Sequence, residues 1–213
     1  ITTAGRRPRA LVVRCDPFDP CAAAEGRYWP LFGYTMIGLH RLNHLERCMA
    51  DVVANGVPGD FLEAGVWRGG ATIFMRAFLK AHGIGDRRVW VADSFAGLPP
   101  ARGIDSQTGD ADLSGEERLK VSLEQVRANF ARFGMLDEQV RFLKGWFHES
   151  LPAAPIERLA LLRLDGDMYS STMDTLTALY DKVSPGGWVI VDDYPGWEGC
   201  RRATDEFRAA RGI

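Results

Sequence analysis

Phe61-Leu62-Glu63-Ala64-Gly65-Val66-Trp67-Arg68-Gly69-Gly70 runs from an apolar stretch into a turn punctuated by glycine, and Ala71–Ala81 behind it repeats apolar residues at helical spacing. A short apolar run, a glycine turn and an amphipathic helix make the opening of a βαβ unit. The rest of the chain repeats that grammar. Apolar runs recur at Asp60–Val66, Arg88–Asp93, Val140–Leu143, Leu159–Asp165 and Trp188–Asp193. Helical patterns fill the gaps at Glu116–Phe133 and Met173–Lys182, and a last one covers Gly199–Arg211. This alternation predicts a doubly wound α/β fold, a parallel sheet with helices on both faces and right-handed crossovers. Upstream, Leu39, Leu42, Leu45, Met49, Val52 and Val53 mark a helix over Met36–Val53, ended by Gly56, Pro58 and Gly59. Residues 1–35 read as an N-terminal arm or lid and residues 36–213 as one domain. The Gly-, Pro-, Asp- and Ser-rich residues 97–115 read as a mobile lid.

The turn after the first run is built for a ligand. Gly65 permits a sharp turn and close approach of a ligand to the backbone. Gly69 and Gly70 open the next helix, whose first N–H groups are expected to face that ligand. The motif is not G-x-G-x-x-G, because Trp67 stands where the dinucleotide fingerprint requires glycine. Asp93 ends the second run 28 residues after Gly65, where doubly wound folds place an acid on a ribose diol. The broken fingerprint shifts the expectation from a nicotinamide dinucleotide toward S-adenosylmethionine, which has no pyrophosphate. Glu63 would then lie under the turn, beside the turn backbone or the methionine ammonium.

Acidic residues crowd the ends of the last two runs, in Asp165-Gly166-Asp167 and in Asp192-Asp193. Neighbouring parallel strands bring those ends together at the ligand-binding edge. Four carboxylates there would repel one another unless a cation neutralised them. Oxygen donors without cysteine favour Mg²⁺ over zinc. If the chain stays extended through Gly166, Asp165 and Asp167 share a side. One can then hold the cation while the other accepts a proton from a hydroxyl that the cation acidifies.

Other features are weaker. His40 and His44 have metal-compatible spacing but no third partner, and read as a solvated or lid-contacting face. Tyr28, Trp29, Phe32 and Tyr34 either close over a substrate or staple the arm to the core. Trp146 and Phe147 either flank an adenine ring or fill the core, and Arg201-Arg202 read as an exposed helix start.

Composition narrows the function further. The chain has 213 residues, 26 basic and 28 acidic, with 46% hydrophobic and 25% charged residues, average for a globular domain. A net charge of -2 argues against nucleic-acid binding. No apolar run approaches the roughly 18 residues of a membrane span. Four cysteines, Cys15, Cys21, Cys48 and Cys200, have no zinc spacing and read as free thiols of a cytoplasmic protein, with a Cys15–Cys21 bridge as the alternative.

Taken in order, several segments resemble the macrocin/mycinamicin III O-methyltransferase family (TylF/MycF type), which includes aminocoumarin-antibiotic sugar O-methyltransferases. They are Thr35-Met36-Ile37-Gly38, Gly56-Val57-Pro58-Gly59-Asp60, Glu63 to Gly70, Trp90 to Phe95, Val140 to Leu143, Gly145-Trp146-Phe147, Asp165-Gly166-Asp167, Ser184-Pro185-Gly186-Gly187 and Asp192-Asp193-Tyr194. The resemblance implies a class I, Rossmann-like enzyme that uses S-adenosylmethionine and Mg²⁺ to methylate a sugar hydroxyl of a glycosylated natural product. It implies metal ligands at Asp165, Asp192 and Asp193 and a general base at Asp167. It implies cofactor contacts from Thr35, Met36, Glu63, Gly65, Trp67, Gly69, Asp93, Ser94, Ser122, Gly145, Trp146, Phe147 and Asp165. It also implies a homo-oligomer, and two antiparallel strands after the last helix that residues 1–213 are not expected to carry. A catechol-type methyltransferase with a phenolic acceptor is the main alternative. A nicotinamide-dependent oxidoreductase and a non-catalytic cofactor-binding scaffold remain as lesser ones.

Overall fold

The structure is a computed structural model that describes residues 18–213. Five strands, β1 (Asp60–Ala64), β2 (Val89–Asp93), β3 (Val140–Lys144), β4 (Leu159–Leu164) and β5 (Val183–Val191), form one sheet in the order β3-β2-β1-β4-β5. Every neighbouring pair is parallel. The order reverses between β1 and β4, which opens a crevice at their C-terminal ends. The helices are α1 (Pro20–Ala24), α2 (Gly38–Ala54), α3 (Gly70–Ala81), α4 (Leu123–Arg132), α5 (Phe147–Ser150), α6 (Tyr169–Leu179) and α7 (Glu198–Arg211).

Helices cover both faces because the inner strands are apolar on both. In β1, Phe61 packs with Leu45, Met49 and Val52 of α2 and Met75 and Leu79 of α3, while Leu62 joins Leu176 and Leu179 of α6 and Phe207 of α7. In β4, Leu161 joins the first cluster and Leu162 the second. Glu63 and Arg163 follow Phe61 and Leu161 by two positions and are register partners, so both point to the α2–α3 face. On that face of β1 and β4 they are the charged positions among apolar ones. Among the described residues no helix is long and apolar enough to cross a membrane. Among the described residues Cys21, Cys48 and Cys200 form no disulfide, and the Cys15–Cys21 alternative lies outside the described residues.

Several boundaries move for identifiable reasons. The helix expected over Glu116–Phe133 begins at Leu123, because Ser122 is its N-cap in a capping box with Gln125. A single 3₁₀ turn covers Glu117–Leu119. The helix expected from Met173 begins at Tyr169, where the Asp105 carboxylate accepts the Ser170 N–H at 3.0 Å. That cap comes from 65 residues away. β5 begins at Val183 and passes through Pro185, which an edge strand tolerates.

Residues 97–115 are anchored at two points. Asp105 caps α6, and the Asp110 carboxylate accepts the Glu198 and Gly199 N–H groups at 3.0 and 2.7 Å at the start of α7. The described end of the arm, residues 30–34, is tied down as well. One nitrogen of Arg68 donates to the carbonyls of Pro30, Leu31 and Gly33, and the Gly70 N–H donates to the Tyr34 carbonyl at 2.9 Å. That last bond corrects the expectation that the α3 N-terminus offers its Gly70 N–H to a ligand.

Candidate active site

One cavity of about 670 Å³ lies over the C-terminal ends of the strands, within the usual range for a small-molecule site. The glycine turn forms its floor. Gly65 has φ 89°, and a Cβ there would stand 1.8 Å from the Asp165 carbonyl oxygen. Glycine is required because the ends of β1 and β4 pinch together, a backbone contact in addition to the place Gly65 takes in the cavity lining. The turn is braced by Asp93. Its carboxylate accepts the Val66 N–H at 2.8 Å and the Phe95 N–H at 2.7 Å. Burial raises the Asp93 pKa, and those backbone N–H groups restrain the rise. Asp93 thus organises the turn while also lining the cavity.

The acids at the ends of β4 and β5 meet a cation that sequence reasoning missed. The Arg163 side chain is 1% exposed; its Nη1 donates to Glu63 and, at 2.6 Å, to Asp165, and its Nη2 donates to Asp192. Arg41 of α2 takes the other Asp192 oxygen and donates to the Ile37 and Met36 carbonyls. Arg163 left a visible signal, a charge inside Leu159-Ala160-Leu161-Leu162-Arg163-Leu164. Arg41 left none, because helix α2 has other exposed basic residues.

Among the described residues, two guanidinium groups against five carboxylates leave a deficit, and the deficit has an address. Asp192 and Asp165 are paired. The Asp193 and Asp167 carboxylates touch no guanidinium among the described residues, and the Asp167 N–H donates to Asp193 Oδ2 at 3.0 Å. Burial first, then the charges of Asp165, Asp167 and Asp192, push Asp193 up to about 9. Burial, then Asp165 and Asp192, push Asp167 up to about 7. Glu63 is pushed up to about 8 by burial, restrained by Arg163, and its Oε2 is buried without a hydrogen-bond partner among the described residues.

The chain is not extended through this segment. Asp167 has φ 57°, a left-handed conformation rare for a non-glycine residue and costly to hold. The expected strand alternation therefore fails as the reason that Asp165 and Asp167 converge; the turn brings both to the cavity instead. Gly166 leaves room for the Phe147 ring, which would lie 3.2 Å from a Cβ there.

Thr35, Met36, Glu63, Gly65, Trp67, Asp93, Ser94, Gly145, Trp146, Phe147, Asp165, Asp167, Asp192 and Asp193 all line this cavity. Gly69 and Ser122 do not. Gly69 caps α3 and packs on Val126, and Ser122 spends its hydroxyl on the cap of α4. Tyr28 and Trp29 line the cavity, whereas Phe32 is 89% exposed and Tyr34 meets Phe133 edge-on. His44 contacts Cys48 at 3.6 Å, away from the acids.

A family model described as macrocin-O-methyltransferase (TylF) matches residues 2–213. The chain belongs to the macrocin O-methyltransferase family. It is an O-methyltransferase. The demethyldecarbamoylnovobiocin O-methyltransferase of Streptomyces niveus is 56% identical over 188 residues, covering 87% of this chain and 71% of that protein. The 8-demethyl-8-(2,3-dimethoxy-alpha-L-rhamnosyl)-tetracenomycin-C 4'-O-methyltransferase of Streptomyces olivaceus is 56% identical over 191 residues, 88% of this chain and 72% of that protein. The solved O-methyltransferase NovP superposes with a TM-score of 0.88 at 52% identity, over 92% of this chain and 81% of that one. In this macrocin-family chain, the glycine turn and the acid cluster open into the same space.

Proposed function

We propose that this O-methyltransferase uses S-adenosylmethionine and Mg²⁺ to methylate a sugar hydroxyl of a glycosylated natural product in antibiotic biosynthesis. The observation that carries the reading is one cavity shared by a glycine turn and a carboxylate cluster short of positive charge. The residues fit both groups. The unpartnered Glu63 Oε2 lies beneath the turn and suits an ammonium group. Asp165, Asp192 and Asp193 offer oxygens within 4.8 Å of one another. An all-oxygen set suits Mg²⁺. A rhamnosyl group in one relative's name supports a sugar acceptor.

When bound, S-adenosylmethionine supplies an electrophilic methyl group, and the cation offsets the negative charge that the acceptor hydroxyl develops. The chain supplies the rest. Asp167, whose ordinary carboxylate range is shifted up to about 7, accepts the acceptor's proton. Trp146 and Phe147 wall the cavity beside it and exclude water. The Asp93-braced turn holds the cofactor side in place, and positioning is expected to provide much of the acceleration.

Calorimetry with S-adenosylhomocysteine, with NADH for comparison and Mg²⁺ present, tests the cofactor. Micromolar binding of the first and none of the second is expected, and binding of NADH alone would overturn the reading. Deoxysugar glycosides should accept the methyl group and catechols should not, with turnover lost in a chelator. Turnover undiminished by the chelator would remove the cation. The reading also includes a homo-oligomer, which light scattering measures directly.

A further inference from the structure

The Arg163 guanidinium joins three strand ends. Its Nη1 is shared between Glu63 on β1 and Asp165 after β4, and its Nη2 holds Asp192 after β5. Glu63 belongs to the glycine-turn side of the cavity, where its Oε2 has no partner. Asp165 and Asp192 belong to the side that offers oxygens to a cation. A counter-ion for Glu63 alone would need one donor. Here Nη1 bridges Glu63 and Asp165 while Nη2 holds Asp192, so three carboxylates share two nitrogens held in a fixed plane, where lysine offers one nitrogen.

The fork and its three carboxylates form one linked unit. The side chain is 1% exposed, and it stands on the α2–α3 face two positions beyond Leu161. Arg41 grips the remaining oxygen of Asp192. Reorienting any one of the three carboxylates therefore turns the guanidinium, and turning the guanidinium displaces the other two.

We propose that Arg163 is a positioning residue that couples cofactor binding to divalent-cation binding. The inference rests on the function proposed above. A ligand that engages Glu63 fixes the guanidinium and so pre-orders Asp165 and Asp192 for the cation. A cation on Asp165 and Asp192 pre-orders Glu63 in the same way. The ordering cost is met once, so each ligand tightens the other, and linkage requires the same factor in both directions.

The test is a double titration. S-adenosylhomocysteine affinity is measured by calorimetry in saturating Mg²⁺ and in EDTA. Mn²⁺ affinity is measured by electron paramagnetic resonance with and without S-adenosylhomocysteine. Each ligand is expected to tighten the other by about 5–150-fold, the range of ordinary coupling. Arg163→Lys keeps the charge but not the fork; it should still bind each ligand singly, with the factor reduced to near 1. If that variant fails to fold, Glu63→Gln provides the second route. It removes the cofactor-side partner of the fork, so Mn²⁺ affinity should no longer respond to S-adenosylhomocysteine at concentrations that saturate the variant. A factor near or below 1 in the unaltered protein overturns the coupling, as does a factor that survives both substitutions. If the unaltered protein binds neither ligand, the proposed function itself falls and takes the coupling with it.

Discussion

Replacing Gly65 by alanine separates two explanations for that glycine. The added Cβ would stand 1.8 Å from the Asp165 carbonyl oxygen, where real Cβ contacts do not fall below 3.0 Å. The ends of β1 and β4 must then part by roughly 1 Å or more, since protein interiors are too closely packed to absorb such an overlap elsewhere. Alanine at φ 89° adds backbone strain. Strain of about 1–2 kcal/mol and overpacking of about 1–3 kcal/mol together predict a loss of roughly 2–5 kcal/mol. For a domain of this size that lowers Tm by roughly 5–15 °C. Asp165 moves with its carbonyl, so the cluster formed by Asp165, Asp192 and Asp193 loosens. A displacement near 1 Å costs on the order of 100-fold in rate. Urea titration and methyl-transfer kinetics are the assays. Gly65→Ala with unchanged stability but abolished S-adenosylhomocysteine binding would refute the reasoning, because it would mean that the glycine serves the ligand and not the strand contact.

Asp167→Asn should lower kcat by about 100–10,000-fold while S-adenosylhomocysteine affinity, read by calorimetry, stays unchanged. In the unaltered enzyme the rate should rise with pH along a limb set at or below about 7, because a bound cation can only lower the value that burial and Asp165 impose, and Asp167→Asn should abolish that limb. Asp193→Asn tests the charge deficit through stability. Its folded pKa is raised to about 9, so the native state keeps a proton that the unfolded chain releases above about 4, and stability falls as pH climbs through that window. In EDTA at pH 8.5 the Asn variant should therefore melt above the unaltered protein by differential scanning calorimetry, and Mg²⁺ should stabilise it less. Asp110→Ala removes the carboxylate that caps α7, so it should cost about 1 kcal/mol and speed hydrogen exchange in residues 97–115. Unchanged exchange there would show that the loop is held by other contacts.

The sequence by itself determined the fold and the family. Short apolar runs alternating with amphipathic helices can bury their surfaces only as a parallel sheet covered on both faces, and the ordered motifs from Thr35 to Tyr194 carry enough chemistry to identify the O-methyltransferase. The spacing of Glu63, Gly65, Asp93, Asp165, Asp167, Asp192 and Asp193 also placed them at one sheet edge, because strand ends in such a sheet are fixed by topology. Long-range partners were beyond its reach. Only the folded chain shows Arg163 and Arg41 dividing the acids into a paired set and a deficient one, since those contacts cross 100 and 151 residues. Only the folded chain shows that Gly65 answers to the Asp165 carbonyl, that Tyr34 takes the Gly70 N–H, and that Asp105 starts α6 four residues early. Periodicity reports which face a residue buries. The charge a side chain meets on that face depends on which strands lie side by side, and that is settled only when the sheet closes.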